Sequence, residues 1–337
     1  MMKAMVINRF GDSSVFEESG LPVPEIAENE VLIAVRASSV NPVDWKIRAG
    51  KVPQLCPQFP AVLHPDCAGV IANVGGGVTN FAVGDEVYAF ASGLAGKQGA
   101  LAEFMPADAR MLALKPGNLS FVEAATLPLV AVTSWLALLE KSNAAPGSRI
   151  LIQGGTGGVG SFALQLAKAR FGDEVFATCG TKTKCDIARS LGARDAFLYH
   201  DDATHAASNG LSFDVIFNTA GQSAINQAVD LAAFDGEILD INGTFPTSGA
   251  FQFKALSFKS VFGGYPITHG FDQERIGRIL ENVTSMVEAE EIRPLIDPNV
   301  FSFSDIAAAH DHLQDGNAVG KIALKSHFFD CTQRTSK

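Results

Sequence analysis

Arg149-Ile150-Leu151-Ile152-Gln153 leads directly into Gly154-Gly155-Thr156-Gly157-Gly158-Val159-Gly160, and Ser161 to Phe171 follows with a helix-like pattern. Strand, glycine turn and helix, in that order, decide the fold. Gly155, Gly157 and Gly160 satisfy G-x-G-x-x-G: one glycine makes the tight turn, one lets the main chain approach a pyrophosphate, and one lets helix pack on strand. Amides at the helix start attract the anion, so Thr156, Gly158 and Val159 join the three glycines as candidate cofactor contacts. A second strand, Glu174 to Thr178, ends in Cys179-Gly180-Thr181-Lys182-Thr183-Lys184. A ribose-binding carboxylate is expected about 20 residues beyond the turn, and none stands there. Cations in its place favour a 2′-phosphate, so NADPH is the expected cofactor.

At 337 residues the chain is long for one core, and two domains are expected. Apolar residues make up 47% and charged residues 18%, a globular balance and not a disordered one. The formal charge of −10 argues against a nucleic-acid or anionic-membrane surface, which needs a basic face. The N-terminus enters a strand pattern at once, without an apolar leader, so the cytoplasm is the expected location. Ala124 to Leu139 is the longest apolar stretch; it falls short of the roughly 20 residues that span a bilayer and reads as a buried helix between domains. Five scattered cysteines, Cys56, Cys67, Cys179, Cys185 and Cys331, form no C-x-x-C pair. That speaks against a disulfide framework or a structural zinc lobe.

From Met2 to about Leu114, short strand patterns alternate with Gly and Pro clusters: Lys3 to Asn8, Val31 to Ser39, Gly69 to Val74, Glu86 to Phe90 and Ala100 to Met105. They predict a mainly-β domain. Gly75-Gly76-Gly77 has no helix after it and reads as a turn. From Val122 helices alternate with continuous apolar strands at Arg149 to Gln153, Glu174 to Thr178, Ala196 to Tyr199, Phe213 to Asn218, Glu237 to Asn242 and Lys259 to Phe262. Strands of that kind, buried on both faces, build a parallel sheet. After Gly264 come helices at Asp272 to Glu290 and from a Ser304 cap to Leu313, then a strand at Lys321 to Leu324 expected to rejoin the β domain.

The segment Ser39-Val40-Asn41-Pro42-Val43-Asp44-Trp45-Lys46-Ile47-Arg48-Ala49-Gly50, then Pro65-Asp66-Cys67-Ala68-Gly69-Val70-Ile71, the glycine turn and Gly320-Lys321-Ile322 occur in a telling order. Together they resemble the medium-chain dehydrogenase/reductase superfamily, and within it the zinc-free quinone oxidoreductase branch of zeta-crystallin-like proteins and plant enone oxidoreductases. The resemblance covers nearly the whole chain. It implies an α/β fold, with a Rossmann doubly wound parallel sheet at 123–265 for NADPH and a mainly-β GroES-like catalytic domain at 1–122 and 266–337. Zinc-dependent relatives carry a Cys and a Gly-His-Glu segment as metal ligands. Here Asn41 and Pro65 stand at the Cys and His positions, and His64 is one residue out of register. Zinc needs a near-tetrahedral ligand set, so no metal is expected.

The same resemblance places Thr133 at the border of the nicotinamide and the run from Asn218 past the ribose. It puts Lys184, Thr181 and Tyr199 at the 2′-phosphate, with Gly180 departing from the serine common there. A homodimer is expected, paired through the apolar edge-strand candidate Lys259 to Phe262.

Without a Lewis acid, a conjugated acceptor is easier to reduce than a simple ketone. Hydride added to the β-carbon of an enone, or to a quinone, leaves negative charge on an oxygen that hydrogen-bond donors stabilise. Asn41 and Lys46 are the candidate donors, because the resemblance sets their segment at the floor of the nicotinamide cleft, and Asp44 is a candidate partner of either. Lys46 stands where many bacterial relatives carry Tyr and plant enone reductases carry Lys, which moves the expectation toward enones. His64 is a candidate pocket residue beside Asn41, with a structural role as its alternative. His310 and His312, two apart on a helix, cannot face one ligand together and read as structural. Phe90, Phe245 and Phe262 are further candidates for the substrate pocket. The expected activity is NADPH-dependent reduction of a quinone or α,β-unsaturated carbonyl. An enoyl-thioester reductase of the same superfamily and a non-catalytic NADPH-binding protein are the alternatives.

Overall fold

The computed structural model describes residues 1–199 and 210–329; Cys331 and residues 330–337 of the expected catalytic domain lie outside them. The chain divides into two compact units, Met1–Leu129 with Gly264–Ala289 and Ile296–Lys337, and Val130–Gly263 with Glu290–Leu295. The first boundary thus falls at Leu129, beyond the expected 122, because the Ser120-capped turn Phe121–Ala124 packs on strands of the first unit and the Leu129 amide donates to Asp66. Residues 290–295 join the second unit, where the Gln165 amide pairs in both directions with the Arg293 main chain at 2.9 and 3.0 Å.

The first unit is built of β1 (Met2–Ile7), β2 (Phe16–Leu21), β3 (Glu30–Val40), β4 (Asp66–Val74), β5 (Glu86–Phe90), β6 (Phe104–Asp108), β7 (Leu112–Leu114), β14 (Phe301–Ser302) and β15 (Ile322–Lys325). Its main sheet runs β14-β15-β3-β4-β5-β7, with β6 also on β3. β3 is central and buried along nearly all its length, which its run of Val, Leu, Ile and Ala allows. β15 pairs antiparallel with it, Ile322 opposite Val40, so the end of the chain returns to the first unit as expected. The expected strand at Ala100 to Met105 lies further on, at 104–108. Ser302, not Ser304, caps the turn that opens the Ile306–Gln314 helix. Gly75-Gly76-Gly77 is a turn held against the end of β3: Gly75 N donates to Glu30 O, and a Cβ on Gly75 would lie 2.2 Å from Ala27 O.

The second unit contains β8 (Ile150–Gln153), β9 (Val175–Cys179), β10 (Asp195–Leu198), β11 (Phe213–Asn218), β12 (Ala232–Asp240) and β13 (Ser257–Ser260). All are parallel, in the order β10-β9-β8-β11-β12-β13. The direction of winding reverses between β8 and β11, and doubly wound sheets bind ligands at such a switch point, beyond the carboxyl ends of the strands. β13 begins before the expected Lys259 and is not the apolar strand foreseen. Its two end serines are exposed, and Lys259 is half-buried in an ion pair with Glu237 at 2.6 Å. The helical run Phe121–Lys141 exceeds the expected length and is long and apolar enough to cross a membrane, yet 72% of its most apolar stretch is buried inside the protein.

Candidate functional site

In the second unit the glycine turn joins β8 to the helix Gly158–Phe171. Gly154 adopts φ +78°, open to glycine, and the amides of Gly154 and Gly155 both donate to Thr178 O on β9. A Cβ on Gly155 would lie 2.6 Å from the Ala177 methyl, and one on Gly160 would lie 2.1 Å from Gly154 O. Those two glycines therefore serve strand and helix packing. Gly157 is different: a Cβ there meets nothing nearer than 3.4 Å, and as the helix N-cap it offers no side-chain acceptor to the first-turn amides. An open face with amides at a helix start suits a pyrophosphate, so the residues present fit a dinucleotide. Val159 sits in that first turn, its carbonyl accepting from Ser134 Oγ at 3.3 Å. Thr156 is buried and hydrogen-bonds the Cys179 thiol, which burial pushes up to about 12; a thiol of that kind is inert at neutral pH.

Beyond β9, Thr181 caps the helix Lys182–Ser190 by accepting from Lys184 N at 3.2 Å. Its hydroxyl hydrogen stays available, and Lys184 is half-buried one turn into that helix. A Cβ on Gly180 would lie 3.3 Å from the Tyr199 ring and 3.4 Å from its hydroxyl oxygen. Glycine in place of serine therefore lets the Tyr199 ring close on the end of β9. Thr133 is nearly buried, its hydroxyl oxygen 2.9 Å from where a Gly263 Cβ would be. Asn218 corrects an expectation: it is fully buried, donates to Gly221 O and Asp240 Oδ1, and accepts from Ala220 N. With Thr219 Oγ1 donating to Gln153 O at 2.6 Å, it braces the loop, both of its amide hydrogens already committed. Phe245 and Phe262 lie on the same unit, exposed, and the Phe245 ring packs on Phe258 at 5.0 Å.

In the first unit the quoted motif forms helix α1 (Pro42–Arg48), with Pro42 at its start and Asn41 as N-cap. Proline there costs nothing, since its missing N–H would have no helical partner. Asn41 N donates to Asp44 Oδ2 at 2.7 Å. The Asn41 side chain is buried, its Nδ2 donating to Asp66 Oδ2 at 2.8 Å and its Oδ1 accepting from Lys321 Nζ. One of the two Asn41 amide hydrogens is thereby committed to Asp66, in a residue that is 1% exposed. Asp44 is also sealed in; burial raises its carboxyl to about 8, and among the described residues its Oδ1 has no hydrogen-bond partner. Lys46 is half-buried on α1, and among the described residues its ammonium makes no hydrogen bond or ion pair.

His64 has no exposed surface. Its Nδ1 lies 2.9 Å from Ser39 O and its Nε2 2.9 Å from His310 Nε2, which favours the structural reading of His64 over the pocket one. Phe90 is likewise core, almost wholly buried at the end of β5. His312 turns the other way, to Asp297 at 3.2 Å. The metal-ligand positions hold Asn41 and Pro65, and among the described residues no three His, Cys, Asp or Glu side chains are grouped to hold an ion. The residues present do not fit a catalytic zinc. Sequence reasoning missed Asp66 and Lys321 as partners of Asn41. Their only signal is a charged residue at the mouth of a buried strand, Asp66 on β4 and Lys321 before β15.

A Rossmann sheet with its glycine turn, in one chain with a GroES-like β unit, defines the dehydrogenase/reductase class. Residues 27–117 match the alcohol dehydrogenase GroES-like domain family and residues 191–324 the zinc-binding dehydrogenase family. The chain is 35% identical to the 2-methylene-furan-3-one reductase of Solanum lycopersicum over 329 residues, covering 96% of this chain and 79% of that protein. It is 34% identical, with the same coverage, to the chloroplastic NADPH-dependent alkenal/one oxidoreductase of Arabidopsis thaliana. An alcohol dehydrogenase superfamily protein from Novosphingobium aromaticivorans superposes with a TM-score of 0.90 at 32% identity, covering 96% of this chain and 99% of that one. The chain belongs to the medium-chain dehydrogenase/reductase superfamily of oxidoreductases.

Proposed function

We propose that the protein reduces α,β-unsaturated carbonyls, with quinones as a second acceptor class, using NADPH and no zinc. The observation that carries this reading is Lys46, a half-buried residue whose ammonium has no partner among the described residues, on a helix whose N-cap is locked. A donor left unpaired is suited to charge that appears only during reaction. The printed activities of the two plant relatives, on a furanone and on alkenals or alkenones, agree with that acceptor class.

When bound, NADPH supplies the hydride. The chain's own residues do the rest. Gly157 and the first-turn amides of Gly158, Val159 and Gly160 would hold the pyrophosphate, and Thr181, Lys184 and Tyr199 the 2′-phosphate. Lys46 donates a hydrogen bond to the carbonyl oxygen as negative charge gathers on it. Asn41, Asp44 and Asp66 fix the helix that carries Lys46.

The test is single-turnover NADPH oxidation at saturating cofactor, with an enone, a quinone and an enoyl-thioester compared. The expected result is turnover of the enone, slowed on the order of 10²-fold in Lys46→Met with NADPH affinity unchanged. An unchanged rate in that variant, or faster turnover of the thioester, would overturn the reading.

A homodimer is proposed with it. β13 is an edge strand, and Phe245 and Phe262 near it are exposed; pairing across a two-fold axis would cover both. A monomeric mass at micromolar concentration would contradict it.

A further inference from the structure

Lys321, 5% exposed, follows Gly320 at the mouth of β15, and its ammonium is enclosed by three oxygens: Val40 O at 3.1 Å, Asp66 Oδ2 at 3.2 Å and Asn41 Oδ1. An ammonium has three donors, so all are used. Asp66, with no exposed surface, is equally occupied. Oδ2 also accepts from Ser39 Oγ at 2.7 Å and Asn41 Nδ2 at 2.8 Å, while Oδ1 accepts from Leu129 N at 2.8 Å.

The Asn41 amide lies between these two charges with its oxygen toward the cation and its nitrogen toward the anion. The reverse orientation would set donor against donor and acceptor against acceptor. Asn41 is at the same time the N-cap of α1, joined to it through the Asn41 N to Asp44 Oδ2 bond at 2.7 Å and the Asp44 N to Asn41 O bond at 3.0 Å. The start of α1 therefore hangs from one side chain clamped on both sides. A buried ion pair gains little stability, because desolvation offsets attraction, but its strict geometry holds a conformation well.

We propose that Asp66 and Lys321 are positioning residues for the reaction: through the Asn41 amide they set the place of α1, and so the aim of the Lys46 ammonium. This rests on the reading of Lys46 as the donor to the developing oxyanion. A small misplacement of a reacting group costs rate far more than it costs binding. Neither residue need touch substrate or cofactor.

The experiment is a double-mutant cycle between Asp66→Asn and Lys46→Met, read as the single-turnover rate of NADPH oxidation with a saturating enone. NADPH affinity and thermal midpoint are measured on every variant. Lys321→Arg, which keeps the charge and changes the geometry, is carried through the same cycle in case Asp66→Asn does not fold. The expected result is a fall of about tenfold or more in rate for Asp66→Asn, a smaller fall for Lys321→Arg, and NADPH affinity within about twofold of the parent. In the Lys46→Met background each should add less than about twofold, since there is no ammonium left to aim. Equal factors in both backgrounds, or an unchanged rate in the single variants, would overturn the positioning role. If Lys46→Met alone leaves the rate unchanged, the donor reading itself falls, an outcome distinct from the other two.

Discussion

The imidazoles of His64 and His310 meet Nε2 to Nε2 at 2.9 Å in the interior of the first unit. Because His64 Nδ1 faces the carbonyl of Ser39 at 2.9 Å, that nitrogen must carry the proton, so His64 Nε2 accepts and His310 Nε2 donates. The pair has one proton arrangement, and a further proton would set two donors face to face. Burial accordingly drives His64 down to about 3 and His310 well below 6.5.

This geometry predicts acid sensitivity. Below pH 6.5 both histidines bind protons when unfolded and not when folded, so the stability they allow is lost as pH falls from about 6.5 toward 3. Asp44 acts oppositely: its carboxyl, raised from 3.8 to about 8, makes stability fall as pH rises through that interval. Below pH 6.5 the two histidines together outweigh Asp44, so the three groups make the folded chain less stable as the pH falls. In denaturant titrations between pH 5 and 6.5, His310→Asn should flatten the pH dependence of stability relative to the parent. Parallel profiles for the two proteins would contradict this.

Lys184→Ala should weaken NADPH binding by about 1.5 to 3 kcal/mol, as for a hydrogen bond to a charged group. NADH, lacking the 2′-phosphate, should be spared. Calorimetric titration with both cofactors checks it, and equal losses would remove Lys184 from the 2′-phosphate site.

The glycine turn predicts a contrast between two alanine variants. A Cβ on Gly160 would stand 2.1 Å from main-chain Gly154 O, which cannot move aside, so Gly160→Ala should lower the thermal midpoint markedly. In Gly157→Ala the nearest atom is 3.4 Å away. That variant should stay folded, with an N-cap cost of about 1 kcal/mol or less, and lose cofactor affinity because its methyl group covers the open face. Tight NADPH binding by Gly157→Ala would show that the pyrophosphate lies elsewhere.

With Asn41 and Pro65 at two metal-ligand positions, the purified protein should contain no stoichiometric zinc and keep its enone turnover after exhaustive chelation. Elemental analysis finding one tightly held zinc per chain would reverse this expectation.

The amino-acid sequence alone determined the Rossmann half, because the strand, the glycine turn and the helix are contiguous. Gly155 and Gly160 tolerate no side chain for reasons already present in the motif. The alternation of apolar strands and helices likewise specified a parallel sheet, since each strand carries its own burial pattern. What only the tertiary structure decided is the fate of polar residues that meet across long separations. Lys321 reaches Asn41 from 280 positions away and His310 reaches His64 from 246. Periodicity reports which face of an element is buried, and it says nothing of which distant hydrogen-bonding group waits there. For that reason Asn41 reads as an available donor and His64 as either a pocket or a structural residue in one dimension, while in three dimensions each is engaged by partners that no local pattern could name.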